Sequence, residues 1–320
     1  MSLVVRVPET ARSPEGELDA ADAGQTLRRV GRRRLLTEAF KRFRYGDGFS
    51  HARALGLQLA LAVFPLSIAL VGLSTTVHAD RLREVLTRTL LALTPGSSQD
   101  TIARVLEQGQ RTAGNGGIAA LAGGLVAALA SLTTAMAQVE RGANRIYGIE
   151  RDRPTHRKYG RAFVLMLVAG IPALIGFLIL VAGGPLGDAA AEVYGWGRTT
   201  HAAYTIVRWP LGALLCLVAI TVLFRYAPRR RQPGRTWLAV GAAVALLMWL
   251  ALTLLLVLYL SVSGNAGATY GPLTGVIAVL VWANLSSIAL LFGLAMGAQL
   301  EAARVGVTPG APPDPEPDDC

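Results

Sequence analysis

Several kinds of chemistry are nearly missing from this chain. Cysteine occurs twice in 320 residues. Cys216 lies inside an apolar block and Cys320 is the last residue, so neither a disulfide framework nor a CxxC centre follows. Cys320 is also not a prenylation signal, which needs its cysteine fourth from the end. Histidine appears only at His51, His78, His156 and His201. None of these falls in HExxH, HxH or a Cys/His spacing that brings two ligands to one metal. There is no GxSxG and no P-loop glycine run. The expectation is a chain with no catalytic residues, no metal and no cofactor, hence not an enzyme.

Charge is scarce too. Only 16% of residues are charged, against roughly 25% in soluble domains, while 52% are hydrophobic and the mean hydropathy is +0.43. A soluble protein of this length would need a polar coat that these residues cannot supply. Lysine is confined to Lys41 and Lys158, so arginine carries the net charge of +10. That charge sits in the connections between apolar blocks. It points to lipid head groups as partners, with the bilayer as solvent, and not to nucleic acid.

Six apolar blocks have the length of about 20 residues that a hydrocarbon core requires. They fall near 54–78, 117–139, 162–183, 205–225, 237–262 and 273–298. Lipid offers no partner to backbone N–H and C=O, so each span must satisfy its own groups as a helix. The predicted fold class is all-α: a polytopic membrane protein with six transmembrane helices.

Orientation follows from the distribution of Lys and Arg. The 28–44 segment carries eight, the 140–161 connection seven and the 226–236 connection four. On the other side 79–116 carries five, 184–204 one (Arg198) and 263–272 none. The long outer connection balances its arginines with Asp80, Glu84, Asp100 and Glu107. Both termini are therefore expected in the cytoplasm, and the chain in the cell membrane. Tyr194, Trp196, Tyr204 and Trp209 are expected at the outer interface, and Tyr226 and Trp237 at the inner one. Trp249 and Trp282 fall mid-span, where packing on neighbouring helices is expected.

Outside the membrane domain, placed at 46–303, the sequence reads as tails. Residues 1–27 are polar, with Pro8 and Pro14, and read as flexible. Residues 304–320 are acidic and proline-rich and read as disordered. Within 1–45, Arg28, Arg29, Arg32, Arg33, Arg34, Lys41, Arg42 and Arg44 alternate with Leu35, Leu36, Phe40 and Phe43 at helical spacing. That is the pattern of an amphipathic helix on an anionic leaflet, and it doubles as a topology signal. In the first outer connection, Leu82, Val85, Leu86, Leu90 and Leu93 recur at helical steps, Pro95-Gly96 interrupts, and Ile102, Val105 and Leu106 follow. Two amphipathic helices on the outer face are expected there.

Polar groups inside spans are costly in lipid, so they mark pairing or function. His51, Arg53 and Gln58 lie near the inner end of span one, Gln138, Glu140 and Arg141 close span two, and Gln299 and Glu301 close span six. Their common depth suggests a polar layer in which Arg53 pairs with Glu140 or Glu301. This layer reads either as a vestibule or as helix-end structure. Asn284 lies mid-span and needs a partner, with Ser67, Ser131, Thr133 and Thr134 in reach. Pro65 and Pro172 each remove a backbone hydrogen bond and kink a span. The candidate cavity is thus Arg53, Gln58, Pro65, Gln138, Glu140, Asn284, Gln299 and Glu301. Gly123-Gly124 and the pair Gly293/Gly297 read as close helix contacts. A homo-oligomer stays open.

Gly46-Asp47-Gly48 leading to Ala62-Val63-Phe64-Pro65-Leu66 resembles the first span of the YihY/BrkB membrane proteins. Asn144-Arg145-Ile146-Tyr147-Gly148-Ile149 is similar to that family's inner-loop signature. Tyr270-Gly271-Pro272-Leu273, Leu280-Val281-Trp282 and Gly297-Ala298-Gln299-Leu300 are similar to its last span. The resemblance covers roughly residues 40–303. It implies a six-span bacterial inner-membrane protein connected with the envelope and with transport of lipid or related substrates. The family once carried a ribonuclease label, which this sequence, lacking any nuclease grouping, does not support. Where family members often have aromatics before the Phe-Pro, this chain has Gly56-Leu57-Gln58, so its specificity would differ. The leading expectation is lipid or envelope-substrate handling. The alternative is a non-transporting structural protein of envelope assembly.

Overall fold

The computed structural model describes residues 5–9, 18–76, 88, 96–150, 153–262 and 273–308. Among these residues there is no β-strand. Two short helices lead the chain, α1 (Ala20–Val30) and α2 (Arg32–Tyr45). Span one is α3 (Gly48–Thr76) and span two the inner part of α4 (Gly96–Ile146). Span three comprises α5 (Thr155–Leu165), one π-helical turn (Met166–Gly170) and α6 (Ile171–Val181). The short α7 (Gly183–Tyr194) leads to α8 (Arg198–Tyr226), α9 (Arg235–Val262) and α10 (Leu273–Arg304), which are spans four, five and six. Six stretches are long and apolar enough to cross a bilayer: Gly48–Leu66, Leu121–Ile146, Thr155–Val181, Arg198–Tyr226, Arg235–Leu260 and Val276–Arg304. The six-span expectation holds.

Local chemistry explains the breaks. The Asp19 carboxylate accepts from the N–H groups of Ala21 and Asp22 at 2.8 and 3.0 Å, and Asp22 returns a bond to Asp19 N–H at 3.2 Å. This capping box starts α1. Gly31, at φ +86°, turns the chain into α2 with a geometry that L side chains resist. In span three, Pro172 cannot donate a backbone hydrogen bond. The ladder slips to a π-turn just before it, with Ile171 N–H reaching the Met166 carbonyl. Pro65 is carried inside the continuous α3.

Two expectations about the ends need correction. The 1–27 segment is not wholly a flexible tail: Val7, Leu18 and Ala23 are buried against the bundle, and α1 packs on α9 and α10. The polar composition hid a few well-placed apolar anchors and the cap. The second outer-connection helix is not separate either, because α4 runs unbroken for 51 residues from Gly96 into span two. The first outer helix, the 263–272 connection and the acidic tail beyond Thr308 lie outside the described residues.

Spans pack in the order two, one, six, five, four, three, and α5 with the π-turn returns to α4, closing a ring at the basic end. Past that turn α6 packs chiefly on α8. Lipid-embedded helices gain little from apolar burial against one another and need close backbone approach instead. A glycine supplies it at the seams of spans one with two, one with six, three with four, and five with six. A Cβ on Gly124 would lie 2.6 Å from Ala69 N, on Gly56 2.8 Å from Asn284 Cα, and on Gly176 3.0 Å from Gly212 O. Gly293 and Gly297 face Gly241 and Ala245 of α9, so this GxxxG is an intramolecular seam.

Candidate functional site

The basic end is where the sequence placed its polar layer, and the structure resolves that layer into two paired clusters. In the first, Glu301 and Arg230 form an ion pair with both side chains almost wholly buried. The Arg230 guanidinium stacks 4.7 Å over the ring of Tyr147, itself 1% exposed. Burial raises the Tyr147 phenol well above its ordinary range, with the Glu301 charge adding to the shift. Beside it Gln299 accepts from Arg42 Nε at 2.7 Å and donates to Glu38 at 3.0 Å. Burial pulls Arg42 down to about 10, while Tyr147 and Glu301 oppose the shift. Arg42 therefore remains a cation at neutral pH.

In the second cluster the buried Glu140 pairs with Arg153, whose guanidinium also lies 3.5 Å from the Ala227 and Pro228 carbonyls. Asn144 accepts from the Arg229 N–H at 2.7 Å and thereby fixes the connection between spans four and five. One turn deeper, Gln138 and His51 Nδ1 meet at 3.0 Å. The buried carboxylates are tolerated here because each has a close arginine partner, whereas the buried Arg42 is held by neutral acceptors, Gln299 and the Val5 and Ile146 carbonyls.

Several sequence expectations are revised by this geometry. Arg53 pairs with neither Glu140 nor Glu301. It is exposed and, among the described residues, reaches Ser50 alone, at 3.4 Å. Spans one and two present it away from both carboxylates, which take Arg153 and Arg230 from the connections instead. Arg42 does not face a leaflet, because α2 packs it inward and leaves Arg28, Arg29, Arg32, Arg33, Arg34, Lys41 and Arg44 exposed. Arg34 pairs with Glu38, and Arg29 caps the last helix through the Arg304 carbonyl. Trp237 is not an interfacial ring but one of the largest fully buried side chains. Thr133 and Thr134 bond carbonyls of their own helix, not Asn284.

Asn284 is one of several buried polar groups left without a partner, with the Trp237 indole among the others. Its Oδ1 is buried and has no hydrogen-bond partner, and its backbone lies against Gly56. One turn further out along the same seam, Ala60 and Leu280 begin an apolar groove of about 280 Å³ that continues past Phe64 to Val276. Leu57, Leu61, Phe64 and Leu280 at its rim are exposed on the bundle surface, where the acyl chains would lie. Gln58 is half-buried on the same helix as Gly56, and neither it nor Pro65, whose carbonyl faces Gly124 of span two, lines the groove. Trp249 donates to Ser286 at 3.0 Å, and Phe177 packs on both Trp249 and Trp282, joining spans three, five and six at mid-depth.

The profile of the Virulence factor BrkB family matches residues 39–318, most of the chain. The chain belongs to that family. This BrkB-family protein is 26% identical over 258 residues to the ribonuclease-like protein YfkH of Bacillus subtilis, covering 81% of this chain and 92% of YfkH. It is 27% identical over 275 residues to a UPF0761 membrane protein of Rhodospirillum centenum, covering 85% of this chain but 58% of that protein. No solved structure matches it significantly. In this BrkB-family chain the Asn144–Ile149 stretch is the hub of the basic end. Asn144 holds one connection, Ile146 and Tyr147 lend carbonyls, and Gly148 turns at φ +72°. Sequence reasoning missed Glu38, Arg153 and Arg230, and had Asn144 and Tyr147 only as part of the inner-loop signature, without a role. The available signal was that carboxylates ending two spans need arginines, and that the 140–161 and 226–236 connections are rich in them.

Proposed function

We propose that this protein handles a membrane lipid or lipid-like envelope substrate, entering sideways from the bilayer along the seam of spans one and six. The observation carrying this reading is the partnerless Asn284 oxygen, buried one helical turn inside an apolar groove that faces the bundle surface. A buried amide oxygen left without a donor costs about 1–3 kcal/mol, and a passing polar head group can supply that donor. Soluble solutes fit less well, because the charged groups of the basic end are turned on one another. The chain is read as non-catalytic, and its termini as cytoplasmic on the arginine asymmetry.

The test is reconstitution in proteoliposomes with head-group-labelled phospholipid and an impermeant quencher. Wild type should render inner-leaflet lipid accessible. Asn284→Leu should slow this by about tenfold, the scale of one hydrogen bond of ~1.4 kcal/mol. Equal rates for protein-free vesicles, wild type and Asn284→Leu would end the proposal. The second reading, a non-transporting scaffold, draws on the exposed arginines Arg28, Arg32 and Arg33. It expects their replacement to matter in cells and Asn284→Leu to be silent.

A further inference from the structure

Residues Val5–Glu9 belong to no helix, yet they lie bound across the basic end. Val7 N–H donates to the Tyr147 carbonyl at 3.2 Å. Arg42 Nη1 donates to the Val5 carbonyl at 3.2 Å. Arg230 donates to the Val7 and Pro8 carbonyls at 3.2 and 3.1 Å. One side chain is swallowed: Val7 is 1% exposed, whereas Val5 two residues earlier is 46% exposed. Everything else that holds the segment is main chain, so the seat recognises an extended backbone with one valine-sized side chain.

The seat stands without its occupant. Arg230 keeps Glu301 and the Tyr147 ring, and Arg42 keeps Gln299. Removing the segment frees donors that water can satisfy, and breaks no ion pair. Meanwhile Arg42 Nη2 is buried without a partner while the segment is in place. Closure thus leaves one cationic donor unsatisfied, which favours release.

We propose that the basic end is a receptor for an extended peptide segment, filled in cis by Val5–Glu9, and that this strap is exchangeable. Bound, it closes the end of the bundle; displaced, it opens the Arg42–Arg230–Glu301 cluster to water. The proposal deepens the lipid-handling reading by giving it a gate, but the seat and its exchange are physical properties independent of any substrate.

The experiment uses the full chain in nanodiscs, with Cys216→Ala and Cys320→Ser as background. Single cysteines are placed by Val5→Cys and Val7→Cys, and alkylation by an impermeant maleimide is timed. With the strap closed most of the time, Val7→Cys should react about tenfold more slowly than Val5→Cys. Adding Arg230→Gln, or excess peptide LVVRVPETA (residues 3–11), should accelerate Val7→Cys several-fold and leave Val5→Cys unchanged. The same peptide with aspartate at the Val7 place should do nothing. Equal rates at the two cysteines would show that the segment is not seated, and overturn the proposal. Protection untouched by both the variant and the peptide would make the segment a permanent part of the fold, and overturn it equally. If Arg230→Gln does not survive purification, the peptide arm decides alone. Alkylation needs no lipid movement, so a failed flipping assay leaves this result standing.

Discussion

Gly123 and Gly124 are adjacent in span two, and the packing assigns them opposite roles. A Cβ on Gly124 would lie 2.6 Å from Ala69 N, 3.0 Å from Ala69 Cα and 3.0 Å from the Pro65 carbonyl, all backbone atoms of span one. Van der Waals contact needs about 3.5 Å, so Gly124→Ala demands a separation of spans one and two by roughly 1 Å. No rotamer can relieve it. Overpacking of this kind costs about 1–3 kcal/mol, which is roughly a five- to 150-fold loss in the folded-to-unfolded ratio. A Cβ on Gly123 meets nothing within 4 Å, so Gly123→Ala should be neutral, or gain up to ~1 kcal/mol from helix propensity. The assay is reversible unfolding in mixed micelles, following helix content or a biotin steric trap on the spans. The reasoning fails if the two variants unfold together, or if Gly123→Ala proves the weaker.

Arg153→Met should destabilise by about 3–5 kcal/mol, because it strands the buried Glu140 carboxylate. The double variant Glu140→Leu with Arg153→Met should recover most of that loss in the same unfolding measurement. Arg53→Ala should stay within about 0.5 kcal/mol of wild type, since its side chain is exposed and, among the described residues, reaches Ser50 alone. Reporters active only outside the cytoplasm, fused after Thr308 or before Val5, should be silent, and the same reporter in the 184–204 connection should be active. A signal from either terminus would reverse the proposed orientation.

The number of spans was legible because lipid imposes one requirement on every residue of a span, and a run of Leu, Ala and Val records it directly. The Gly293/Gly297 seam was legible for a related reason, since only small residues let backbones touch. Pairing was not. Glu140 and Glu301 advertise that they need a cation, but sequence proximity in depth suggested Arg53, whereas the chain folds Arg153 and Arg230 back from the connections. Hydrophobic periodicity marked α2 as amphipathic yet could not say that the bundle would take Leu35, Phe43 and Arg42 while Leu36 and Phe40 stay exposed. Val7 and Leu18 were invisible, because a single anchor in a polar stretch carries no period.

Span six sits between spans one and five and also receives both leading helices. Of the six spans it is the last to be made. Until it arrives, Gly56 has nothing to press against, and Arg42 and Arg230 lack Gln299 and Glu301. Five spans can insert in order, but the polar end has no complete arrangement to adopt before span six is made. A product cut short before span six would therefore expose Arg42 and Arg230 without Gln299 and Glu301, unpaired charge that marks it as incomplete.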